Sequence, residues 1–402
     1  MIDTNPKKID EILNRGTIVE ILPSREEFRQ KLLSGKELRF YIGFDATSSS
    51  LHLSHAKNIM LMEKFRKLGH KVIILFGDFT ARIGDPTNEN SSRKQLTKKE
   101  VAGNVKSWKK LIKPLMRFNT FTNPPKIKHN SKWFSKLNFE DILNLASKLT
   151  VPRMLERDMY QKRLKEGKTI YLHEFLYPLM QGYDSVVMDV DVEVCGTDQI
   201  FNALTGRDLL KKIKNKEKFV VAVTLMENPK TGELMSKSKG TGVFLDEKPA
   251  EMYGQVMAQP DEMTEILFIN NTHLSLDEIK KIMVGNPRDT KARLAFEIVK
   301  IFYGEKEARK AKDEFNKVFR EGQLPSQIRE YKNDQNETFL PKLLHVSGVA
   351  DSVSDAKRLI LQKSVEIDGK IETNWKTPVP DNDEIIIKVG KRRVVKIKKH
   401  KK

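Results

Sequence analysis

Cysteine is almost absent from this sequence, which has a single one, Cys195, among 402 residues. One thiol excludes an internal disulfide and a thiolate metal cluster, and it agrees with a reducing compartment. Long apolar runs are missing as well. The run at 72–76 is far shorter than the ~20 residues that cross a bilayer, and the N-terminus lacks a basic-then-apolar signal. We therefore expect a cytoplasmic protein with no membrane segment and no structural metal.

Acidic residues are also scarce relative to basic ones. The chain has 73 Lys and Arg against 54 Asp and Glu, a net charge of +19. Such an excess favours a polyanionic partner, although a lysine-rich proteome would produce it too. The basic residues are concentrated at 388–402, beside an alternating pattern typical of strands, so this end is expected to touch phosphate. With 39% hydrophobic residues, the chain can bury the cores of about two or three domains.

The stretch 39–55 has the pattern of a strand, a polar turn and the start of a helix. Residues 39–44 are mostly apolar and aromatic, and the hydroxyls of 48–50 are suited to an N-cap before a periodic apolar run. That helix would carry His52 and His55 on one face of its first turn. Free backbone N–H groups and ring N–H groups there attract phosphate. The alternative is a solvated loop with two histidines by chance.

Further strands predict a parallel sheet. Residues 70–77 form a second buried strand, which completes a strand–helix–strand unit, and the runs at 190–194 and 220–226 are also typical of strands. The loop at 77–87 follows the carboxyl end of its strand, where open α/β sheets bind ligands. Asp85 in that loop could hold a cation or an ammonium group. We expect an α/β fold, with a doubly wound, Rossmann-like parallel sheet in the catalytic domain.

Two later segments have polar groups where ligands could bind. Tyr177, Gln181 and Asp184 recur at i, i+4 and i+7 and so share one helix face. A helix that gives this face to polar groups loses burial worth about 1.5–3 kcal/mol per side chain, which favours a polar ligand over a solvent-facing stripe. The loop at 233–240 is small, flexible and basic, and it could carry Lys237 onto phosphates.

Jointly these motifs resemble the bacterial tyrosyl-tRNA synthetases of class I. The matching pieces occur in the order and spacing of that family, and they are residues 41–45, 52 and 55, 84–86, 177/181/184, 196–199 and 235–238. The resemblance implies ATP-dependent activation of L-tyrosine to tyrosyl-adenylate. It also implies transfer of the tyrosyl group to the 3′ end of tRNA(Tyr), with no covalent enzyme intermediate.

The resemblance also assigns roles to individual residues. The catalytic residues would be His52, His55 and Lys237. Tyrosine would be bound by Tyr41, Thr80, Asp85, Tyr177, Gln181, Asp184 and Gln199, with Tyr41 and Asp184 at the phenolic hydroxyl. ATP would be bound by Gly43, Asp45, Thr47, His52, His55, Asp198, Lys237 and Ser238. Mg²⁺ is expected to accompany the ATP, and no residue is predicted to bind a metal of its own.

Three positions depart from the family pattern. Ser54 stands where a glycine usually separates the two histidines, Leu234 replaces the first lysine of the mobile loop, and Glu89 stands where relatives often have a basic residue. We expect these departures to affect the reaction rate and the affinity for ATP more than the assignment of the chain to this family.

The resemblance covers nearly the whole chain. We expect a catalytic domain at 1–230 with a helical insertion at about 115–165, and then the lysine loop and a helical tRNA-stem domain at 231–325. A linker at 326–336 and an S4-like RNA-binding domain with a basic tail at 337–402 would follow. The phosphate-facing residues of that domain would be Lys357, Arg358, Lys363 and Lys370. An ordinary small α+β domain is the alternative there. Relatives are homodimers through inserted helices at about 141–164, so a homodimer is expected.

Two rival functions remain at this point. A related class I synthetase for tryptophan would have no use for the Tyr41/Asp184 pair. A non-enzymatic RNA-binding descendant would be favoured if the departures had removed activity.

Overall fold

The computed structural model describes residues 1–85, 96–235, 241–320, 324, 328–334, 337–390 and 393–399. These residues form two compact units, Met1–Ala308 and Arg309–Lys402. The finer division into a catalytic domain, a helical domain, a linker and an RNA-binding domain stays a prediction.

The first unit is built on a six-stranded sheet. Its strands are β1 (Ile18–Leu22), β2 (Arg39–Phe44), β3 (Lys71–Phe76), β4 (Lys126–His129), β5 (Val192–Gly196) and β6 (Phe219–Val223), in the order β1-β6-β5-β2-β3-β4. All neighbours are parallel except β1, which is antiparallel to β6. From the central strand β2 the chain continues to β3 on one side and returns to β5 on the other. The predicted parallel α/β sheet is thus confirmed, and its switch point lies between β2 and β5.

Helices connect and cover these strands. They are α1 (Pro6–Asn14), α2 (Arg25–Leu33), α3 (Leu53–Lys67), α4 (Lys98–Leu111), α5 (Ser131–Phe134), α6 (Phe139–Ala146), α7 (Val151–Leu155), α8 (Asp158–Lys165), α9 (Leu176–Met188) and α10 (Ile200–Lys214). After β6 follow α11 (Pro249–Met257), α12 (Met263–Asn271), α13 (Leu276–Met283), α14 (Pro287–Tyr303) and α15 (Glu305–Arg320), of which α15 begins in the first unit and ends in the second. Short 3-10 turns lie at Thr80–Arg82, separated from β3 by three residues, and at Thr197–Gln199, directly after β5. Both turns therefore lie at the carboxyl end of the sheet.

The start of α3 differs from the prediction. The hydroxyls at 48–50 do not cap the helix, because its N-cap is His52. Residues 48–50 lie in a loop that tertiary contacts hold instead: the Ser48 carbonyl accepts from Trp108 Nε1 at 2.7 Å, and the Ser50 hydroxyl bonds Asp246. Because these tertiary contacts hold residues 48–50 away from the first turn of α3, their hydroxyls do not cap the helix.

Strand β4 lies inside the predicted helical insertion at about 115–165. It pairs with β3 in parallel from Ile73–Lys126 to Phe76–His129. The sequence of β4 is Lys-Ile-Lys-His, with one aliphatic residue, so neither an apolar run nor a long alternation marks it. An edge strand is held by backbone hydrogen bonds, which leave little trace in the side-chain pattern.

Four phenylalanines fix α2 and α3 against the sheet. Phe28 of α2 meets Phe219 of β6 at 5.1 Å between ring centroids, and Phe40 of β2 stacks on Phe65 of α3 at 4.3 Å. Phe28, Phe40 and Phe65 are each 0% exposed. These contacts hold β2, and so the residues that follow it, in a rigid setting.

In the second unit, a five-stranded sheet has two helices between its first two strands along the chain. These are β7 (Arg329–Asn333), α16 (Leu340–Val346), α17 (Val353–Leu361), β8 (Val365–Ile367), β9 (Lys370–Glu372), β10 (Glu384–Val389) and β11 (Arg393–Lys399), with the strand order β7-β11-β10-β8-β9. The buried faces of α16 and α17 share one apolar cluster with β8, β10 and β11. This is the small α+β arrangement that the sequence predicts.

A strand lies within the predicted linker at 326–336. Arg329–Asn333 form β7, which pairs in parallel with β11. Four of the five β7 residues are not buried, and the strand is polar, so its side chains gave no strand signal. In the part of the chain that the structure describes, no helix is long and apolar enough to cross a membrane.

Replacing Phe28 with alanine tests this packing. We expect Phe28→Ala to lower the free energy of unfolding of the first unit by about 3–5 kcal/mol, because it leaves a cavity between α2 and β6. Phe121→Ala is the matched control, since Phe121 is fully exposed, and it should change the free energy of unfolding by less than about 0.5 kcal/mol. Amide hydrogen exchange of the β2 residues measures the free energy of unfolding of both variants. Equal effects of the two substitutions would contradict the packing described.

Candidate active site

The carboxyl end of the sheet gathers polar side chains from four strands. Asp45 follows β2, Thr80 follows β3, Asn130 follows β4, and Asp198 with Gln199 follows β5. Because parallel strands end at the same edge of a sheet, residues far apart in the chain meet there. Helix α9 runs beside this edge and adds Tyr177, Gln181 and Asp184 from one face, as predicted.

At one end of this site a phenol and a carboxyl are buried together. Tyr41 is 1% exposed and Asp184 is 3% exposed. Asp184 accepts from Trp133 Nε1 at 2.8 Å and from Asn130 Nδ2 at 3.4 Å. Burial raises the pKa of the Asp184 carboxyl well above its ordinary value, against the effect of these two donors. Burial also raises the pKa of the Tyr41 hydroxyl, and the charges of Glu193 and Asp184 add to this effect, so Tyr41 keeps its proton.

Sequence reasoning missed Trp133 and Asn130. Asn130 directly follows β4, so recognising that strand would have placed it at the ligand-binding edge. Its side chain has three partners: it donates to Thr80 Oγ1 at 3.0 Å as well as to Asp184, and its Oδ1 accepts from the Phe79 N–H at 2.9 Å. Trp133 lies in the short helix α5, and no motif marks it.

Asp45 forms the centre of the site. Its two carboxylate oxygens accept from Thr80 Oγ1 at 2.6 Å and from the Tyr177 hydroxyl at 2.9 Å. Burial raises the pKa of Asp45 to about 7, while these two hydroxyl donors lower it. The prediction assigned Asp45 to ATP, and the structure places its carboxyl among the residues assigned to the amino acid. A Cβ on Gly77 would lie 2.0 Å from Asp45 Oδ1, so only glycine fits beside this carboxylate.

A chain of side-chain amides crosses the remaining part of the site. Asn202 Nδ2 donates to Gln181 Oε1 at 3.0 Å and to Gln199 Oε1 at 2.7 Å. Gln199 Nε2 in turn donates to Asp85 Oδ2 at 2.8 Å and to Asp198 Oδ2 at 3.0 Å. The structure thus brings together Gln181, Gln199 and Asp85 through Asn202, which the sequence did not single out.

The two predicted histidines lie at the other end of the site. Their rings are 4.2 Å apart between centroids, and His52 is the N-cap of α3. Burial lowers the pKa of His52 to about 4 and that of His55 to about 3. Both imidazoles are therefore neutral near pH 7, and they can donate hydrogen bonds without carrying charge. Gly43 and Thr47, also assigned to ATP, are exposed at the same edge of the sheet.

The segment after the lysine loop is tied to the histidines. Leu53 N–H donates to the Val243 carbonyl at 3.1 Å, and Leu245 N–H donates to the Leu51 carbonyl at 2.8 Å. Lys237 and Ser238, the loop residues predicted to bind ATP, lie outside the described residues, as does Glu89. Leu234, at the position of the family's first lysine, is 49% exposed. It does not provide a cation there.

In the second unit, the predicted RNA-binding residues have different surroundings. Arg358, Lys363 and Lys370 are exposed. Arg358 also bonds Asp355 at 2.5 Å. Lys357 differs from them, because its ammonium lies 4.3 Å from the centroid of the Trp375 ring. That cation–π contact leaves Lys357 half-buried rather than free in solvent.

Among the residues that the structure describes, no group of three or more His, Cys, Asp or Glu is arranged to hold a metal ion. A cation that accompanies a nucleotide needs no such group, because phosphate oxygens and water supply most ligands of Mg²⁺.

Comparison with known families assigns the first unit. The family described as tRNA synthetases class I (W and Y) matches residues 33–320. The chain belongs to this family. The family described as the S4 domain matches residues 340–385, in the second unit.

Curated relatives agree with this assignment to the class I synthetases. A tyrosine–tRNA ligase of Carboxydothermus hydrogenoformans is 40% identical over 96% of this chain and 97% of its own length. A tyrosine–tRNA ligase of Thermotoga maritima is 37% identical over 98% of both chains. The predicted resemblance to bacterial tyrosyl-tRNA synthetases is therefore confirmed.

Solved structures support the fold of this synthetase. A C-terminally truncated mitochondrial tyrosyl-tRNA synthetase of Aspergillus nidulans has a TM-score of 0.67 at 24% identity, covering 78% of this chain and 94% of that one. A tyrosyl-tRNA synthetase of Archaeoglobus fulgidus, complexed with L-tyrosine, has a TM-score of 0.59 at 19% identity, covering 76% and 99%. At these identities the likeness concerns the fold alone.

The contacts of Asp45 predict how its pKa responds to substitution. Thr80→Val removes a hydroxyl donor that favours the charged carboxylate, so we expect the pKa of Asp45 to rise from about 7 by about one pH unit. A carboxyl ¹³C NMR titration, assigned with Asp45→Asn, measures it. Thr205→Val is the control, because the Thr205 hydroxyl donates to the Phe201 carbonyl. An unchanged or lowered pKa in Thr80→Val would contradict the contact.

Proposed function

We propose that this synthetase activates L-tyrosine with ATP and transfers the tyrosyl group to the 3′ end of tRNA(Tyr). The observation that carries the proposal is the buried pair Tyr41 and Asp184 at the closed end of the site. A phenol and a carboxyl, buried together, offer both a donor and an acceptor to a substrate hydroxyl. Curated relatives that match nearly the whole chain are named tyrosine–tRNA ligases.

The other polar residues suit the rest of the amino acid. Asp45, held by Thr80 and Tyr177, presents a carboxyl to a substrate ammonium group, and Asp85 presents a second. An ammonium group beside Asp45 would favour its charged form, since opposite charges lower a carboxyl pKa. Gln199 lies between Asp85 and Asp198, where the substrate carboxylate and the ribose of ATP would meet.

Activation is an in-line displacement at phosphorus. An oxygen of the tyrosine carboxylate attacks the α-phosphorus of ATP, the bond to the bridging oxygen breaks, and pyrophosphate leaves. Catalysis of such a step is mostly positioning and stabilisation of charge on the phosphoryl oxygens. His52 and His55 donate hydrogen bonds to those oxygens, and Lys237 of the lysine loop supplies a positive charge. In the second step a hydroxyl of the terminal tRNA ribose attacks the acyl carbon, and AMP leaves.

A Mg²⁺ ion would accompany ATP in this site. When bound, it would neutralise charge on the phosphates and would need few protein ligands, because phosphate oxygens and water can supply most of its coordination. The acidic residues nearest the nucleotide, Asp198 among them, would contact it through the nucleotide or water.

The RNA partner is proposed from the second unit and its charge. The S4 family match and the exposed Arg358, Lys363 and Lys370 fit contacts to an RNA backbone, which position RNA without reading its sequence. The net charge of +19 adds a long-range attraction. A synthetase works where its tRNA is used, so we place this one in the cytoplasm.

We also propose that the synthetase is a homodimer through α6, α7 and α8. One side of α6 packs on α9 and α10, while its other side presents apolar residues to solvent. Large apolar side chains in and beside these helices are more than half exposed, and they are Phe139, Leu143, Val151, Leu164, Tyr171 and Leu172. Such a patch is typical of a covered interface.

A tryptophan-specific synthetase is the second candidate, because the matched family includes both. Tryptophan has an indole N–H and no hydroxyl, so it would use only the acceptor of the Tyr41/Asp184 pair. Buried partners left unpaired by the wrong substrate are costly. The pair therefore favours tyrosine.

ATP–pyrophosphate exchange tests the proposed reaction and the loop. We expect exchange with tyrosine and much less with tryptophan, and we expect Lys237→Ala to lower kcat by about 10²-fold through loss of a charge on the leaving phosphates. Lys248→Ala, a lysine at the N-cap of α11, is the control and should be near wild type. Tryptophan-dependent exchange would support the second candidate. An absence of exchange with intact RNA binding would support the non-enzymatic alternative, and an unchanged rate in Lys237→Ala would remove the loop from the mechanism.

The proposed interface has its own test. Light scattering at micromolar protein should give about twice the chain mass of 46.4 kDa. Leu143→Glu with Leu164→Glu should give the monomer, because charges would be buried in an apolar interface. Val284→Glu is the control, since Val284 is 87% exposed on the same unit outside these helices. A monomeric wild type would refute the dimer.

A further inference from the structure

A buried ion pair lies behind the phenol-binding end of the site. Lys218, next to β6, bonds Glu193 of β5, and their side chains are 0% and 2% exposed. Removing two charges from water costs several kcal/mol, and their attraction returns this only with good geometry and further hydrogen bonds. Such a pair adds little stability by itself. Its hydrogen bonds to residues that line the site indicate a role in positioning them.

Ser185 joins the ion pair to Tyr41. The Lys218 ammonium donates to Ser185 Oγ at 2.9 Å, and Ser185 Oγ lies 3.1 Å from the Tyr41 hydroxyl and 3.2 Å from Glu193 Oε2. A serine hydroxyl has one donor and two acceptor positions. Lys218 fills one acceptor position, because an ammonium group only donates. The remaining hydrogen-bonding positions of the Ser185 hydroxyl are shared between Tyr41 and Glu193. Ser185 is 0% exposed, so water does not compete for these hydrogen bonds.

The backbone leaves room for this contact. A Cβ on Gly206 of α10 would lie 2.7 Å from Lys218 Nζ and 3.0 Å from Ser185 Oγ, and its distance to the Gly182 Cα of α9 would be 3.2 Å. Helices α9 and α10 thus approach closely at two glycines. The absence of a side chain at Gly206 leaves the space that the Lys218 ammonium and the Ser185 hydroxyl occupy.

The same ion pair also reaches the amide chain. Glu193 Oε1 accepts from Gln181 Nε2 at 3.0 Å, and Gln181 Oε1 accepts from Asn202. Glu193 therefore holds Gln181 with one oxygen while its other oxygen bonds Lys218 and faces Ser185. Two residues that line the site, Tyr41 and Gln181, depend on one buried carboxylate.

We propose that Ser185 and Lys218 are positioning residues that hold the Tyr41 hydroxyl and thereby set selectivity for tyrosine over phenylalanine. This inference rests on the proposed function, because it presumes that Tyr41 reads the substrate phenol. Tyr41 can give a well-aligned hydrogen bond only if its own hydroxyl is fixed. Ser185 Oγ contacts that hydroxyl at 3.1 Å, and Glu193 of the ion pair also interacts with it. Phenylalanine has no hydroxyl, so its reaction does not depend on this alignment.

The central test compares two substrates in ATP–pyrophosphate exchange. Ser185→Ala should lower kcat/KM for tyrosine about five- to tenfold, the effect of one lost hydrogen bond, and leave kcat/KM for phenylalanine unchanged. A purely structural role would lower both values by the same factor. An unchanged ratio of tyrosine to phenylalanine would overturn the proposal.

A double-mutant cycle makes the test specific to Tyr41. In a Tyr41→Phe background, Ser185→Ala should leave the tyrosine-to-phenylalanine ratio as it is, since the hydroxyl that Ser185 holds is gone. The same loss in both backgrounds would show that Ser185 acts elsewhere. Thr205→Val is the matched control: it removes a buried hydroxyl from α10 that donates to a backbone carbonyl, and it should not change the ratio.

The lysine needs a paired substitution. Lys218→Met alone leaves Glu193 buried without its cation and could fail to fold. Lys218→Met with Glu193→Gln removes both charges and keeps the bond to Gln181, and it should fold and lose selectivity to the same degree as Ser185→Ala. Gly206→Ala should also lower the selectivity for tyrosine over phenylalanine, because its methyl group would displace the Lys218 ammonium. If the neutral pair folds and keeps full selectivity, Lys218 has no positioning role.

The outcome for the wild type separates the two proposals. A wild type with no tyrosine-dependent exchange would refute the proposed function itself. A wild type that activates tyrosine and rejects phenylalanine, together with variants that keep that selectivity, would refute only the role of Ser185 and Lys218.

Discussion

A buried carboxyl group must be hydrogen-bonded or protonated, and the site of this protein depends on that constraint. Asp184 and Glu193 are buried and Asp45 is half-buried, and all three lie in or behind the site at one sheet. Asp45 is held by two hydroxyls, Asp184 by an indole and an amide, and Glu193 by an ammonium and an amide. Each set of partners comes from other strands and helices, so satisfying the carboxyls also fixes the shape of the pocket.

The same constraint divides the site into two electrostatic regions. At the amino-acid end the groups are carboxyls, which attract an ammonium group and accept from a phenol. At the nucleotide end burial keeps His52 and His55 neutral, with their pKa values near 4 and 3. Neutral imidazoles fit beside a helix N-terminus because they add no charge to the positive end of its dipole. In the function we propose, one strand–turn–helix, from Tyr41 to His55, therefore serves both reactants.

Local patterns made much of this predictable from sequence, and tertiary relations limited the rest. Strand β2 and the polar face of α9 follow from apolar runs and from spacing along one element. Strands β4 and β7 were missed because backbone hydrogen bonds to a neighbour hold these polar edge strands, and no side-chain period reports that. Ser185 and Lys218 could not be found either. Their importance comes from a 2.9 Å contact between residues 33 positions apart.

The neutral histidines bear on the departures from the family pattern. Because His52 and His55 carry no charge near pH 7, in the proposed mechanism they act on the phosphoryl oxygens by hydrogen bonding alone. The positive charge for the leaving pyrophosphate is then assigned to a basic side chain and to the cation that would accompany ATP. Leu234 cannot supply it, and the buried Lys57 is already bonded to the Thr224 carbonyl beside the histidines. With leucine in place of the first loop lysine, the mechanism we propose assigns that electrostatic role to Lys237 and to the cation that would accompany ATP.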